Sequence, residues 1–179
     1  MKTYIAILRG INVSGQKKIK MADLRALLDE IGFKEVQTYI QSGNIVFQYP
    51  ETSESDLEKI IEEKIQSHYD FHVPTMVRTP EAFQYVIDHN PFLQDPEKDI
   101  KRQYITFLAE QPAEENIEAL KEVDHDPEEY IIDGRVIFFF SPNGYGRAKM
   151  NNNFFEKKLK VKATTRNWKT VNKLLEMTN

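Results

Sequence analysis

Cysteine is absent from the 179-residue chain, and with it go disulfides, thiolate catalysis and cysteine-ligated zinc or iron–sulfur sites. Long apolar runs are missing as well. Nowhere do the ~18 consecutive apolar residues of a membrane span occur, and the mean hydropathy is negative at -0.56. A membrane protein is excluded on this reading. The N-terminal stretch from Met1 to Leu8 reads as a strand: Arg9 cuts its apolar run short and no small-residue cleavage site follows. No secretory leader is expected, and a cytoplasmic location is allowed. The commonest catalytic signatures are missing too: there is no phosphate-binding loop ending in Gly-Lys-Ser or Gly-Lys-Thr, no G-x-G-x-x-G after a strand and no G-x-S-x-G elbow. His68 and His72 have the spacing of paired metal ligands on a helix, but Phe71, Val73 and Pro74 imply that the helix has ended by then. No metal site and no cofactor is expected.

What is present suffices for a real core, at 40% hydrophobic residues, with 29% charged. The net charge of -4 conceals a partition: residues 1–50 carry +3, residues 51–130 carry -14 and residues 131–179 carry +7. Between Ser141 and Lys173 nine cations face the single anion Glu156. Clustered cations raise the local concentration of anions, so the two ends read either as a surface for phosphate, nucleic acid or an acidic partner, or as a solvated face balancing the acidic middle.

Periodicity orders the elements. Residues 3–8 form an apolar strand, Met21, Leu24, Leu27, Leu28 and Ile31 follow helical spacing, and Gly32 stops that helix. Strands at 36–40 and 45–48 flank Gln41-Ser42-Gly43-Asn44, whose Gly-Asn pair suits a hairpin. Ser55 or Asp56 caps a helix through Tyr69, and 73–78 is a short strand broken near its start by Pro74. Thr79-Pro80-Glu81 starts a helix that Asn90-Pro91 ends, and the stretch up to Lys101 has linker composition. The order then repeats: a strand at 103–108, a helix at 113–123, strands at 129–132 and 136–140 around Asp133-Gly134, a helix at 151–159 and a strand at 161–164. A last helix runs from Asn167 to Met177 with Trp168 inward. Two consecutive βαββαβ orders predict an α+β protein of two ferredoxin-like subdomains with antiparallel sheets plus a C-terminal helix. The predicted division is 1–78 for the first subdomain, 79–101 for a helix and linker, and 102–179 for the second subdomain with the C-terminal helix.

Three constellations carry polar chemistry. Arg9-Gly10-Ile11-Asn12-Val13-Ser14-Gly15-Gln16-Lys17-Lys18 is a basic loop after a strand, where two glycines can present backbone N–H groups to an anion or merely shape a βα connection. Tyr39 to Asn44 gathers amides and hydroxyls at a hairpin tip, which turn chemistry alone would also favour. Thr164-Thr165-Arg166-Asn167-Trp168 opens the last helix: Thr165 or Asn167 is its cap, and Arg166 sits near its positive end, able either to bind an anion or to pair with a carboxylate. Upstream, Ser141 to Lys149 reads as a flexible polar lip, with Tyr145 for stacking and Arg147 and Lys149 for charge.

Four segments, "LRGINVSGQKKIKMADLRALL", "TYIQSGNIVF", "SPNGYGRAKMNNNFFEKKL" and "ATTRNWKTVNKLLEM", resemble in order the bacterial family catalogued as domain of unknown function number 1697. That loop commonly has glycine in the family where this chain has Ser14. The resemblance implies a compact bacterial cytosolic protein of two ferredoxin-like α+β subdomains and brings no established activity with it. The reading of the residues is a site between the two halves lined by Arg9, Asn12, Lys17, Gln41, Ser42, Asn44, Arg147, Lys149, Arg166 and Asn167. Its expected ligand is a nucleotide, a phosphorylated small molecule or single-stranded nucleic acid. Two alternatives stay open. One is a metal-independent enzyme on a phosphorylated metabolite or nucleotide, with Tyr39 and Arg166 as candidates; the other is an adaptor whose basic face meets an acidic partner or a second copy, as in a homo-oligomer.

Overall fold

The computed structural model describes all 179 residues, Met1–Asn179. The chain divides into two compact units, one of Met1–Gln84 together with Lys173–Asn179 and one of Tyr85–Asn172. Each unit contains a four-stranded antiparallel sheet with flanking helices, and the whole is two ferredoxin-like subdomains with a C-terminal helix. No helix is long and apolar enough to cross a membrane.

In the first unit the elements are β1 (Lys2–Leu8), α1 (Met21–Glu30), β2 (Lys34–Tyr39), β3 (Asn44–Tyr49), α2 (Glu54–Tyr69) and β4 (Thr75–Arg78), with sheet order β2-β3-β1-β4. Strand alternation sends Tyr4, Ala6 and Leu8 of β1 into a core with Ile45 and Phe47 of β3, against Leu24, Leu27 and Leu28 of α1 and Leu57, Ile61 and Ile65 of α2. Ile5 and Ile7, pointing the other way, are equally buried.

The second unit repeats the plan with β5 (Gln103–Leu108), α4 (Glu114–Lys121), β6 (Glu129–Asp133), β7 (Val136–Phe140), α5 (Asn152–Leu159) and β8 (Ala163–Asn167), in the order β6-β7-β5-β8. Tyr104, Leu108, Ile137 and Phe139 meet Leu120 of α4 and Phe155 and Leu159 of α5 in its core. Between the two plans runs α3 (Pro80–His89), and α6 (Trp168–Glu176) ends the chain.

Five expectations need correction. The helix α2 starts at Glu54, because Ser53 rather than Ser55 or Asp56 is the cap: its hydroxyl accepts the Asp56 N–H at 3.1 Å. Pro74 has no N–H to give a ladder, so β4 begins only at Thr75 although Val73 is already in the core. The last strand is longer and later than 161–164, since Ala163 to Asn167 pair with Leu108 to Tyr104 and draw Thr165 and Arg166 into the sheet. The turn between β6 and β7 holds Gly134 and Arg135, with Gly134 at φ +58° in its first position. The stretch with linker composition is folded: Asn90, buried, caps a 3-10 turn at Pro91–Gln94 and donates to Gln103 Oε1 at 2.9 Å, and a second turn spans Ile100–Arg102.

Each unit solves its last edge strand in the same way. The outer N–H groups of β4 go to carboxylates of the crossover helix, Thr75 N to Glu62 Oε1 at 2.8 Å and Val77 N to Glu58 Oε1 at 2.9 Å. In the second unit Ala163 N of β8 donates to Glu156 Oε1 of α5 at 2.9 Å. A charged acceptor on a half-buried N–H makes a short, strong bond and denies that edge to a foreign strand. Burial pushes the Glu58 carboxyl above its ordinary value, against the pull of the Val77 N–H and of Arg78. Arg78 itself is buried and lies 3.4 Å from Glu58 and 3.6 Å from Glu54.

Glu62→Ala and Glu156→Ala each leave an edge N–H without its acceptor and are expected to lower stability by about 1–3 kcal/mol in urea unfolding. The exposed neighbours Glu63→Ala and Lys157→Ala should stay within about 0.5 kcal/mol of the parent.

Candidate functional site

The antiparallel pairing of β1 with β3 places Ile7 opposite Asn44, so the end of β1 and the hairpin tip before β3 emerge side by side. The loop that follows β1 is therefore built against that tip. Leu8 N donates to Gly43 O at 2.8 Å, and Arg9 N to Pro74 O at 2.9 Å. Ile11 and Ile19, both buried, anchor the loop at its two ends.

Asn12 is the fastener. Its Nδ2 donates to Gln41 O at 2.7 Å and to Ile19 O at 2.9 Å, while its Oδ1 accepts the Ile19 N–H at 2.9 Å. All of the amide's capacity for shaping the loop is thus turned inward, tying the loop to the hairpin. Lys17 reaches His72 O with its ammonium at 2.6 Å and is a second internal strut. In the hairpin, Asn44 is fully buried and donates to Tyr39 O at 3.0 Å and Ser42 Oγ at 2.9 Å. Gln41 is exposed. Of the six site residues expected in this half, all converge on one corner, but Asn12, Lys17 and Asn44 hold its shape.

The backbone of that corner is strained. Asn12, Ser14, Lys17 and Ile40 have φ of +54°, +51°, +45° and +51°. For a β-branched residue such as Ile40 this region is costly, and such strain gathers at functional sites. Ile40 and Val13 are also exposed, at 52% and 58%. The backbone N–H groups of Gly10, Ser14 and Gly15 have no partner within the chain. A run of N–H groups in left-handed turns is a concavity for anions, and Arg9, Lys18 and Lys20 flank it from partly or fully exposed positions. The two glycines had pointed to backbone N–H groups in this loop; which of them stay without a partner, and that Ile40 and Val13 are exposed, residue type alone does not show.

The four site residues of the second half lie in the second unit. Arg147 closes an exposed 3-10 turn, Tyr145–Arg147. The lip around it is not loose: Glu128, a buried carboxylate, accepts Lys149 N at 2.7 Å and Met150 N at 2.9 Å. The Lys149 ammonium donates to Asp126 O at 3.1 Å. Tyr145, expected to be available for stacking, packs on Tyr104 at 5.5 Å between ring centres and accepts the Asn152 N–H at 2.9 Å. Arg166 lies in β8 opposite Ile105 rather than in the last helix, and its guanidinium donates to Thr165 O at 3.1 Å. Burial lowers its pKa to about 10, with Tyr145 pulling the other way. Asn167 is the helix cap, accepting the Thr170 N–H at 2.8 Å, whereas Thr165 shares its hydroxyl with Asn152 and Thr106. No group of three or more His, Asp or Glu side chains is placed to hold a metal ion.

Glycine is dictated at one point of the corner by space as well as by φ. A Cβ on Gly43, at φ +82°, would lie 2.5 Å from Leu8 Cβ, whereas one on Gly15, at φ +74°, would meet nothing within 4 Å. Gly43→Ala should therefore cost roughly 1–2 kcal/mol of backbone strain plus about 1–3 kcal/mol of overpacking. Gly15→Ala should show only the first part, and urea unfolding of the two variants measures the difference.

Known proteins with this architecture exist. The fold superposes on the structure of the conserved bacterial protein SP0830 from Streptococcus pneumoniae with a TM-score of 0.75 at 26% sequence identity, covering 99% of this chain and 98% of that one. No curated protein matches the sequence. Residues 1–138, which contain the loop, the hairpin and the acidic middle, match the model of the family described as "Protein of unknown function (DUF1697)". The chain belongs to the DUF1697 family.

Proposed function

We propose that the corner of the first unit formed by residues 9–18 and 40–43 binds a phosphate-bearing ligand, a nucleotide or a single-stranded nucleic acid. The observation that carries this reading is the set of unpartnered N–H groups at Gly10, Ser14 and Gly15 on an exposed loop whose shape is fixed from within by Asn12. Preorganised donors of this kind bind phosphate oxygens without paying to order the loop. Arg9, Lys18 and Lys20 add the charge that draws a polyanion and makes the affinity depend on salt. The exposed Val13 and Ile40 side chains offer an apolar surface for a base or sugar beside the phosphate. Within this reading Asn12 and Lys17 are positioning residues, and the ligand meets backbone and cations.

Fluorescence polarisation with a labelled single-stranded oligonucleotide and a labelled nucleoside triphosphate, each over a salt series, tests the reading. Binding at low salt should weaken as salt rises. With the oligonucleotide, Arg9→Ala and Lys18→Ala should each lower the salt slope by roughly 0.7. Absence of binding to both probes at low salt, or binding that both variants leave unchanged, contradicts it.

A further inference from the structure

The four edges of the two sheets are not treated alike. The edge at β4 is closed by two carboxylates of α2, and that at β8 is capped at its start, where Ala163 N donates to Glu156 of α5. The edge at β2 is broken by a register shift between Lys34 and Gln37, with Glu35 at φ +50°, which bends it away from any regular partner. By contrast β6 keeps an unbroken register with β7, from Glu129 opposite Phe140 to Asp133 opposite Val136.

Counting from the two-residue turn, the antiparallel ladder turns Glu129, Ile131 and Asp133 toward β7 and leaves the N–H and C=O groups of Tyr130 and Ile132 pointing outward. Those groups have no partner within the chain. Every residue of β6 is at least partly exposed, and Ile131 is 44% exposed. Beside the strand runs a groove of about 580 Å³ with an apolar floor of Ile117, Tyr130, Ile131 and Ile132 and with Glu114 on its wall. A second cleft, of about 530 Å³, shares Lys121 and His125 with it and adds Asp124, Asp126 and Glu129.

We propose that β6 is a docking edge for an extended, positively charged peptide segment of another protein, added to the second sheet as a fifth strand. Unsatisfied backbone groups supply the affinity of such strand addition, and the alternating pockets beside them select side chains. Charge selects the partner. From Glu110 to Asp133 the chain carries ten carboxylates and one cation, Lys121; Glu118 is paired with Lys121, Glu129 with Lys98, and Glu128 is buried, which leaves Glu110, Glu114, Glu115, Glu122, Asp124 and Asp126 as exposed negative charge. A second copy of this chain is the weaker occupant at the same place, because two β6 strands paired antiparallel about Ile131 bring Glu129 of each, already paired with Lys98, against Asp133 of the other, and β6 itself carries no cation to offset them. The occupant is therefore a strand of opposite charge whose apolar residues, alternating with the cations, share one face and meet the groove side chains Ile117, Tyr130 and Ile132.

The test uses the full chain and a labelled synthetic peptide of alternating lysine and valine, with an alternating glutamate and valine peptide of the same length. The lysine peptide should bind saturably, weaken with salt, and slow hydrogen exchange at the Tyr130 and Ile132 amides. Charge reversal at Glu114→Lys with Asp126→Lys, both exposed and outside β6, should weaken it about tenfold or more. Equal binding of both peptides, no change in the reversed variant, or protection confined to other segments would overturn the proposal. So would a peptide-independent dimer, seen by sedimentation, that already protects the β6 amides.

Discussion

The outermost strand of an open sheet presents backbone groups that must be satisfied, and the way this chain satisfies them organises both units. In each, the helix that crosses back to the last strand brings a glutamate onto that strand's N–H groups: Glu58 and Glu62 on β4, Glu156 on β8. One kind of contact thus fixes where the fourth strand lies and how the crossover helix is rotated. A charge-assisted bond at a half-buried N–H is worth more than a neutral one, and losing it leaves the donor desolvated and unpaired.

From that closure follows the shape of the candidate site. The turn leading into β4, held by Glu62 on both the Thr75 N–H and the His72 imidazole, supplies the carbonyls of Pro74 and His72. These receive the Arg9 N–H and the Lys17 ammonium. With Asn12 fastened to Gln41, the basic loop is held on one side by the hairpin and on the other by the edge strand. Its strained residues persist because the surroundings over-determine them. The left-handed Ser14 belongs to the same strained stretch. The free edge of β6 is the complement of this design, the one regular edge to which no carboxylate was brought.

Much of the fold was legible in the sequence, because helices and strands here obey their periods: Leu24, Leu27 and Leu28 mark α1, and both hairpins announced themselves by glycine. The limits of β8 were not, since Thr165 and Arg166 are compatible with a cap or a strand and only pairing with Ile105 and Thr106 decides between them. The loop and hairpin motifs of the first unit were recognised, and strand pairing brings them together. What residue type could not reveal is direction. Asn12 and Asn44 have the chemistry of ligand-binding amides, yet both face inward, whereas the donors left over belong to the backbone of Gly10, Ser14 and Gly15. The same holds for Tyr145, whose hydroxyl and ring are taken up by Asn152 and Tyr104.

The corner is shaped by internal bonds that leave the Gly10, Ser14 and Gly15 N–H groups without a partner in the chain. An amide-resolved NMR titration of the full chain with pyrophosphate and then with a short single-stranded oligonucleotide addresses those donors individually. Saturable shifts of the Gly10, Ser14 and Gly15 amides are expected with both ligands, at concentrations where the amides next to Lys157 and Lys158 do not move. Shifts that are absent at the loop, or spread evenly over the lysine-rich surface, would contradict it.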